Sequence, residues 1–237
     1  MNKEEFIKYC KDISIIIDED IYLKLYKYYE LLNEWNNKFN LTNILEEKDV
    51  FLLHFYDSIC LFKVLDINKK INILDFGTGA GFPGMVIAII NKDINVTLVE
   101  SNNKKCSFLE EIKKELNLYN VNIICDRIEN YAKNNREKYD YVTCRAVTSI
   151  PIIIELSTST IKVGGFLVPL KSNSMDEIKK YNYLNKEFNL KLEDIIEYNL
   201  PVNNAYRMIP IYKKLDVTKN KYPRNYSQII KKYKNNW

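Results

Sequence analysis

The residues with the clearest chemical use lie in Ile73-Leu74-Asp75-Phe76-Gly77-Thr78-Gly79-Ala80-Gly81-Phe82-Pro83-Gly84, where an apolar run passes into glycines and then into a second apolar run. This reads as a strand feeding a helix, the place where open α/β sheets bind nucleotides. Glycine lets the backbone take positive φ and approach a ligand closely. Glu100 closes the next strand-like run, 23 residues after Gly77, where a carboxylate accepts both hydroxyls of a ribose. Loop and carboxylate together specify adenosine. A dinucleotide fingerprint requires G-x-G-x-x-G, but here the third glycine comes one residue early and Phe82-Pro83 follow. Asp75 would repel phosphates and suits the amino group of a methionine moiety, directly or through water. S-adenosylmethionine is the adenosine cofactor that meets these conditions. The alternative, a tight turn with no ligand, leaves Glu100 unexplained.

Other polar residues stand where they can line an acceptor pocket. His54, Asp57 and Ser58 fall at i, i+3 and i+4 and can share one helix face. They are not a hydrolase trio, because a nucleophilic serine needs a strained elbow and a separately oriented base. A hydrogen-bonded structural cluster and a pocket wall both remain open. Arg145 ends an apolar strand beside the glycine loop; it can contact cofactor or acceptor, or pair with Glu100 or Glu129. Lys171 holds the matching position on the next strand and is either a phosphate contact or a solvated lysine. Cys10, Cys60, Cys106, Cys125 and Cys144 form no CxxC pair. That spacing predicts five buried thiols, with neither a metal site nor a disulfide.

These residues need a frame. Ile21, Leu25, Tyr28, Leu32, Trp35 and Phe39 recur at helical steps and predict a long helix with one core-facing side. A second helix is predicted over 48–64. From residue 71 onward, strand patterns at 71–76, 95–100, 121–125, 139–145 and 165–170 alternate with helical ones at 84–91, 103–116, 129–134 and 150–161. That order predicts a parallel sheet covered on both faces. A helix over 174–188 and a hairpin pair over 192–198 and 207–213 follow, making seven strands in all. The fold class is thus α/β, Rossmann-like and mostly parallel, with an N-terminal helical cap. The organisation expected is a cap over 1–66, a sheet domain over 67–215 and a basic segment over 216–237.

Composition excludes some functions. The chain is 46% hydrophobic and 28% charged, ordinary for a soluble globular protein. Its longest apolar runs fall far short of the roughly 20 residues a membrane helix needs, and no signal peptide is visible. A cytoplasmic, monomeric protein is expected. Residues 213–237 carry a net +7, against −3 for the remainder. A basic tail suits a polyanion through counterion release, or is simply solvated. Lys231, Lys232 and Lys234 interleaved with Tyr226 and Tyr233 suit RNA backbone and base stacking, as does chance in a lysine-rich chain.

Several motifs together resemble the bacterial small-subunit ribosomal RNA guanine-N7 methyltransferases, also called glucose-inhibited division protein B. They are Trp35-Asn36, Asn40-Leu41-Thr42-Asn43, His54 with Asp57-Ser58, the loop from Asp75 to Gly84, Leu98-Val99-Glu100-Ser101 with Lys104 and Phe108-Leu109, Arg145-Ala146-Val147 and Tyr222-Pro223-Arg224. The resemblance implies methyl transfer from S-adenosylmethionine to N7 of one guanine in the decoding region of 16S rRNA, free or in the 30S subunit. It implies donor contacts at Gly77 and Phe82, Glu100, Ile128, Glu129 and Arg145, to which the loop reading adds Asp75 and Gly79. His54, Asp57, Ser58, Arg145 and Lys171 become the target-pocket candidates, and no metal is implied. Two departures bear on RNA docking: Lys171-Ser172 replaces the usual Lys-Gly, and residues 225–232 are poorer in Gly and Pro. Guanine N7 carries a lone pair and no proton, so in-line transfer needs positioning and no general base.

Overall fold

The computed structural model describes residues 1–234, with Lys234 described through its backbone alone. Helix α1 (Lys3–Asp12), which the apolar periodicity does not reveal, starts at a capping box in which Asn2 and Glu5 each accept the other's backbone N–H at 2.9 Å. Helix α2 (Glu19–Asn36) is capped by Asp18, which accepts from the Ile21 N–H at 2.8 Å. Its predicted face is buried at Leu25, Tyr28 and Leu32. The second predicted helix is a composite rod: α3 (Glu47–Asp49), a wide-turn π segment (Val50–Tyr56), α4 (Asp57–Ile59) and a 3-10 turn (Cys60–Lys63).

Alternation then begins: β1 (Asn72–Phe76), α5 (Gly84–Ile90), β2 (Asn95–Glu100), α6 (Asn103–Glu115), β3 (Val121–Cys125), α7 (Ile128–Asn134), β4 (Tyr139–Thr143), α8 (Ile150–Ser157) and β5 (Ile161–Leu167). Helices α9 (Met175–Lys180) and α10 (Leu184–Glu187), strands β6 (Leu190–Asn199) and β7 (Tyr206–Lys214), and α11 (Tyr226–Lys234) complete the order. The seven strands run β3-β2-β1-β4-β5-β7-β6, parallel except where β7 pairs with β5 and β6. Strand order reverses between β1 and β4, so the loops leaving these two strands frame a crevice. Ile73 belongs to the core that also takes residues from α1, α2, α5 and α6, while Leu74 and Phe76 belong to a second core with residues of α7, α8 and α11.

Four expectations change. Strand β5 begins at Ile161, not residue 165, because residues 162–165 bulge between the Tyr139–Ile161 and Tyr141–Phe166 pairs, with Gly164 at φ +86°. The single helix over 174–188 is broken between α9 and α10. The C-terminal run is folded: Arg224 forks onto both oxygens of the fully buried Glu155 at 2.6 Å, Lys214 is fully buried with its Nζ 2.7 Å from the Ile161 carbonyl, and Tyr233 is buried, so it cannot stack on a base. Lys232 pairs with Glu187 at 3.3 Å, Lys231 is exposed, and the Lys234 side chain lies outside the described residues. Finally, Cys106 and Cys125 form a disulfide, whereas Cys10, Cys60 and Cys144 are buried thiols as expected. The β2–α6–β3 crossover sets the start of α6 against the end of β3, a proximity that separation in sequence does not reveal.

Candidate active site

The glycine loop is braced from inside. Asp75 is fully buried on β1; its Oδ2 accepts from the Thr78 hydroxyl at 2.6 Å and from the Gly84 N–H at 2.8 Å. Its Oδ1 has no partner. Glu100, at the end of β2, accepts the N–H groups of Gly79, Ser101 and Asn102 at 2.8–2.9 Å. Gly77, Gly79 and Gly81 all have positive φ, and a Cβ on Gly77 would meet Val147 at 2.7 Å. A buried acceptor without a partner is costly, so the amino group of an adenosine-linked methionine fits this loop better than a phosphate does.

The cap presses on the same loop. The Tyr28 hydroxyl donates to the Ala80 carbonyl, and its ring stacks on Phe82 at 5.4 Å between centroids. His54 stacks on Phe82 at 4.4 Å and 11°, and the Arg145 guanidinium lies 5.2 Å from the same ring. Phe82 is therefore buried inside a stack, each pair of which is worth about 0.5–1.5 kcal/mol beyond its burial. A Gly81→Ala substitution, at φ +100°, would drive a methyl group into Tyr28 Oη and to 3.0 Å from Leu109 and Met85. We expect it to cost about 1–3 kcal/mol of stability in urea denaturation; an unchanged midpoint would contradict this packing.

The π segment turns its carbonyls toward β4. Just beyond that strand, Arg145 donates to the Leu53 carbonyl at 2.9 Å and the His54 carbonyl at 3.4 Å, to Asp57 Oδ2 at 3.2 Å and to His54 Nδ1 at 2.9 Å. Wide turns of this kind concentrate at functional sites. Since guanidinium only donates, Nδ1 must accept, and Nε2 then carries the proton toward Thr42 Oγ1 at 3.0 Å. His54 has no free lone pair. Asp57 Oδ1 also meets Arg207 Nε at 3.3 Å and accepts from the Tyr198 hydroxyl at 3.2 Å. His54, Asp57, Arg145 and Arg207, with Ile44, Leu53, Ala146, Leu170, Lys171 and Ser172, surround a cavity of about 350 Å³.

A smaller cavity of about 160 Å³ opens on the other side of residues 145–147, lined by Gly77, Ser101, Arg127, Ile128, Glu129, Val147 and Tyr226 among others. Arg145 and Ala146 thus border the larger space and Val147 the smaller. His54, Asp57, Arg145 and Lys171 are brought together in the larger cavity. Ser58 is not: fully buried, it donates back to the His54 carbonyl at 2.5 Å. Arg145 pairs with Asp57 rather than with Glu100 or Glu129, and Glu129 lies 3.7 Å from Arg127. Lys171 donates to the Thr148 carbonyl at 2.9 Å. Sequence reading missed Arg207, Tyr198 and Tyr28. The one available signal was an arginine opening the otherwise apolar run Met208 to Tyr212.

Two buried groups here titrate in opposite senses. Burial raises Asp75 from 3.8 to about 7, with Thr78 and Gly84 pulling it back. Burial, then the Arg145 charge, lowers His54 from 6.5 to about 3. Asp75 therefore contributes stability below 3.8 that is lost as pH rises through 7, whereas His54 contributes stability above 6.5 that is lost as pH falls toward 3. Between pH 6.5 and 5 the two slopes oppose. Asp75→Asn leaves His54 alone, and His54 is the chain's single histidine. Urea denaturation of that variant should lose about 1.4 kcal/mol more per pH unit on acidification than wild type; equal slopes would refute the assignment.

Comparison with known proteins bears on this geometry. The family model described as rRNA small subunit methyltransferase G matches residues 21–205, a span holding both cavities except Tyr226 and Arg207. Among similar proteins, the ribosomal RNA small subunit methyltransferase G of Desulforamulus reducens is 41% identical over 218 residues, 91% of each chain. That of Fusobacterium nucleatum is 40% identical over 97% of this chain and 99% of its own. The chain belongs to the rRNA small subunit methyltransferase G family. As a member of that family it is a methyltransferase, and its fold agrees with more distant structures. A SAM-dependent methyltransferase from Aquifex aeolicus shares 14% identity at a TM-score of 0.50, over 72% of this chain and 95% of its own. A predicted O-methyltransferase from Agrobacterium tumefaciens shares 17% at 0.54, over 69% and 83%.

Proposed function

We propose that this family member transfers the methyl group of S-adenosylmethionine to N7 of a guanine in 16S rRNA. The observation that carries the reading is the pair of cavities meeting across residues 145–147, one at the glycine loop and one at the arginine cluster. Ile128 and Glu129 in the first would hold the adenine, while Glu100, at the end of β2, would take the ribose hydroxyls and the unpartnered Asp75 oxygen behind the glycine loop the amino group. When bound, the sulfonium supplies an electrophilic methyl group.

The second cavity suits a purine that needs no deprotonation. His54 offers no base, since its acceptor nitrogen is held by Arg145. Arg145, Lys171 and Arg207 around the single Asp57 make the wall net positive, which favours guanine O6 and a neighbouring phosphate as acceptors. The Asp57 carboxylate tempers that field as the purine gains positive charge. Held in line, the two reactants gain most of their rate from orientation.

The test is incorporation of labelled methyl from S-adenosylmethionine into RNA of a strain lacking the modification, offered as naked 16S rRNA and as 30S subunits. Borohydride reduction with aniline scission then maps N7. Label at one scissile guanine supports the reading. Label confined to tRNA or protein, or none at all, contradicts it.

A further inference from the structure

The Cys106–Cys125 pair lies outside the machinery assigned so far but touches it on both sides. Cys106, in the first turn of α6, is buried, and Cys125, at the end of the edge strand β3, is exposed. Their Cα atoms are 5.9 Å apart, within the range a disulfide spans without backbone movement. Each sulfur also has an acceptor within reach: Cys106 Sγ lies 3.3 Å from the Glu100 carbonyl, and Cys125 Sγ 3.1 Å from Asn103 Oδ1. Reduced thiols can donate to these same atoms. Dithiol and disulfide are thus both accommodated.

The position matters because Cys125 is the β3 partner of Glu100 in the sheet register. The four residues after it, Asp126 to Glu129, line the smaller cavity opposite Ser101. A bond between the cysteines ties the start of α6 to the strand end from which that wall leaves.

We propose that Cys125 and Cys106 are a reversible oxidation site for hydroperoxides, and that the disulfide clamps the adenosine side of the donor pocket; the second part rests on the donor reading above. The Cys125 thiolate attacks the peroxide oxygen, the O–O bond breaks and hydroxide leaves, giving a sulfenic acid. The Cys106 thiolate then attacks the Cys125 sulfur and the S–O oxygen departs as water. In total, two thiols and one hydrogen peroxide give one disulfide and two waters. A small dithiol reverses the change by exchange. Fixing a loop in its ligand-bound position raises affinity by removing an ordering cost.

The full chain is treated with hydrogen peroxide or dithiothreitol and read three ways: non-reducing peptide mapping, amide exchange of residues 126–129, and calorimetric titration with S-adenosylhomocysteine. Oxidation should link Cys106 to Cys125, slow exchange at 126–129 and tighten ligand binding about threefold to tenfold. Cys125→Ser should respond in none of the three. Two thiols surviving peroxide, or a disulfide that alters neither exchange nor affinity, would overturn the proposal. Ligand binding in neither redox state would count against the donor reading instead, and slowed exchange would still establish the clamp.

Discussion

Arg145→Lys is expected to lower kcat/KM for rRNA by about a hundredfold or more while changing affinity for S-adenosylhomocysteine less than about threefold. The guanidinium reaches two carbonyls of the π segment, the Asp57 carboxylate and His54 Nδ1 at once. A lysine ammonium is a point charge without that fork, so the wall of the arginine cavity loses its register with the glycine loop. Misplacement of about 1 Å is enough to cost such a factor. The donor side should be spared, because Arg145 borders the larger cavity and Val147 the smaller. Circular dichroism separates loss of fold from loss of positioning, and Lys171→Ala should be milder, since that side chain holds only the Thr148 carbonyl at 2.9 Å and Glu177 at 4.0 Å and touches neither the π segment nor Asp57. A lysine variant with wild-type kcat/KM would remove Arg145 from the positioning role.

The second large effect concerns Asp75. Because burial raises its carboxyl to about 7, the protein without ligand is partly protonated there at neutral pH. An amino group seeking the unpartnered oxygen requires the carboxylate, so binding should release a proton. Affinity for S-adenosylhomocysteine should therefore fall about tenfold for each pH unit below 7. Above pH 7 this dependence levels off. Asp75→Asn should bind weakly with little pH dependence, and Asp75→Ala should lose about a hundredfold or more, because Thr78 and Gly84 lose their acceptor as well. Calorimetry at pH 6 in buffers of different ionisation enthalpy checks the proton directly; no release would contradict the assigned contact.

How much of this could be read from the residues depends on the range of the interactions. Strand β1, the glycine loop and Glu100 were legible because strand–turn–helix patterning is local and a carboxylate closing the next strand has few other uses. The seven strands followed from alternation, with β5 displaced because Gly164 and Gly165 look like a strand start when they form a bulge. The π character of Val50–Tyr56 was not legible, since no residue pattern separates a wide turn from an α-helical one. Arg207 and Tyr198 reach Asp57 from strands β7 and β6 far along the chain, and their convergence is a property of sheet order. The same holds for Cys106 and Cys125, which spacing alone argued against joining. The basic C-terminal run misled for another reason: charge composition does not disclose that Arg224 is committed to Glu155 and Tyr233 to the core.

The two cavities are proposed to work as one site on one guanine of 16S rRNA. Mass spectrometry of 16S rRNA from a strain without the modification, carrying either this chain or its Arg145→Lys variant, tests it most directly. One methyl group is expected, at N7 of a single guanine, restored by the chain and strongly depleted with the variant. An unmodified 16S rRNA in the presence of the folded wild-type chain, or a methyl group on another atom, would contradict it.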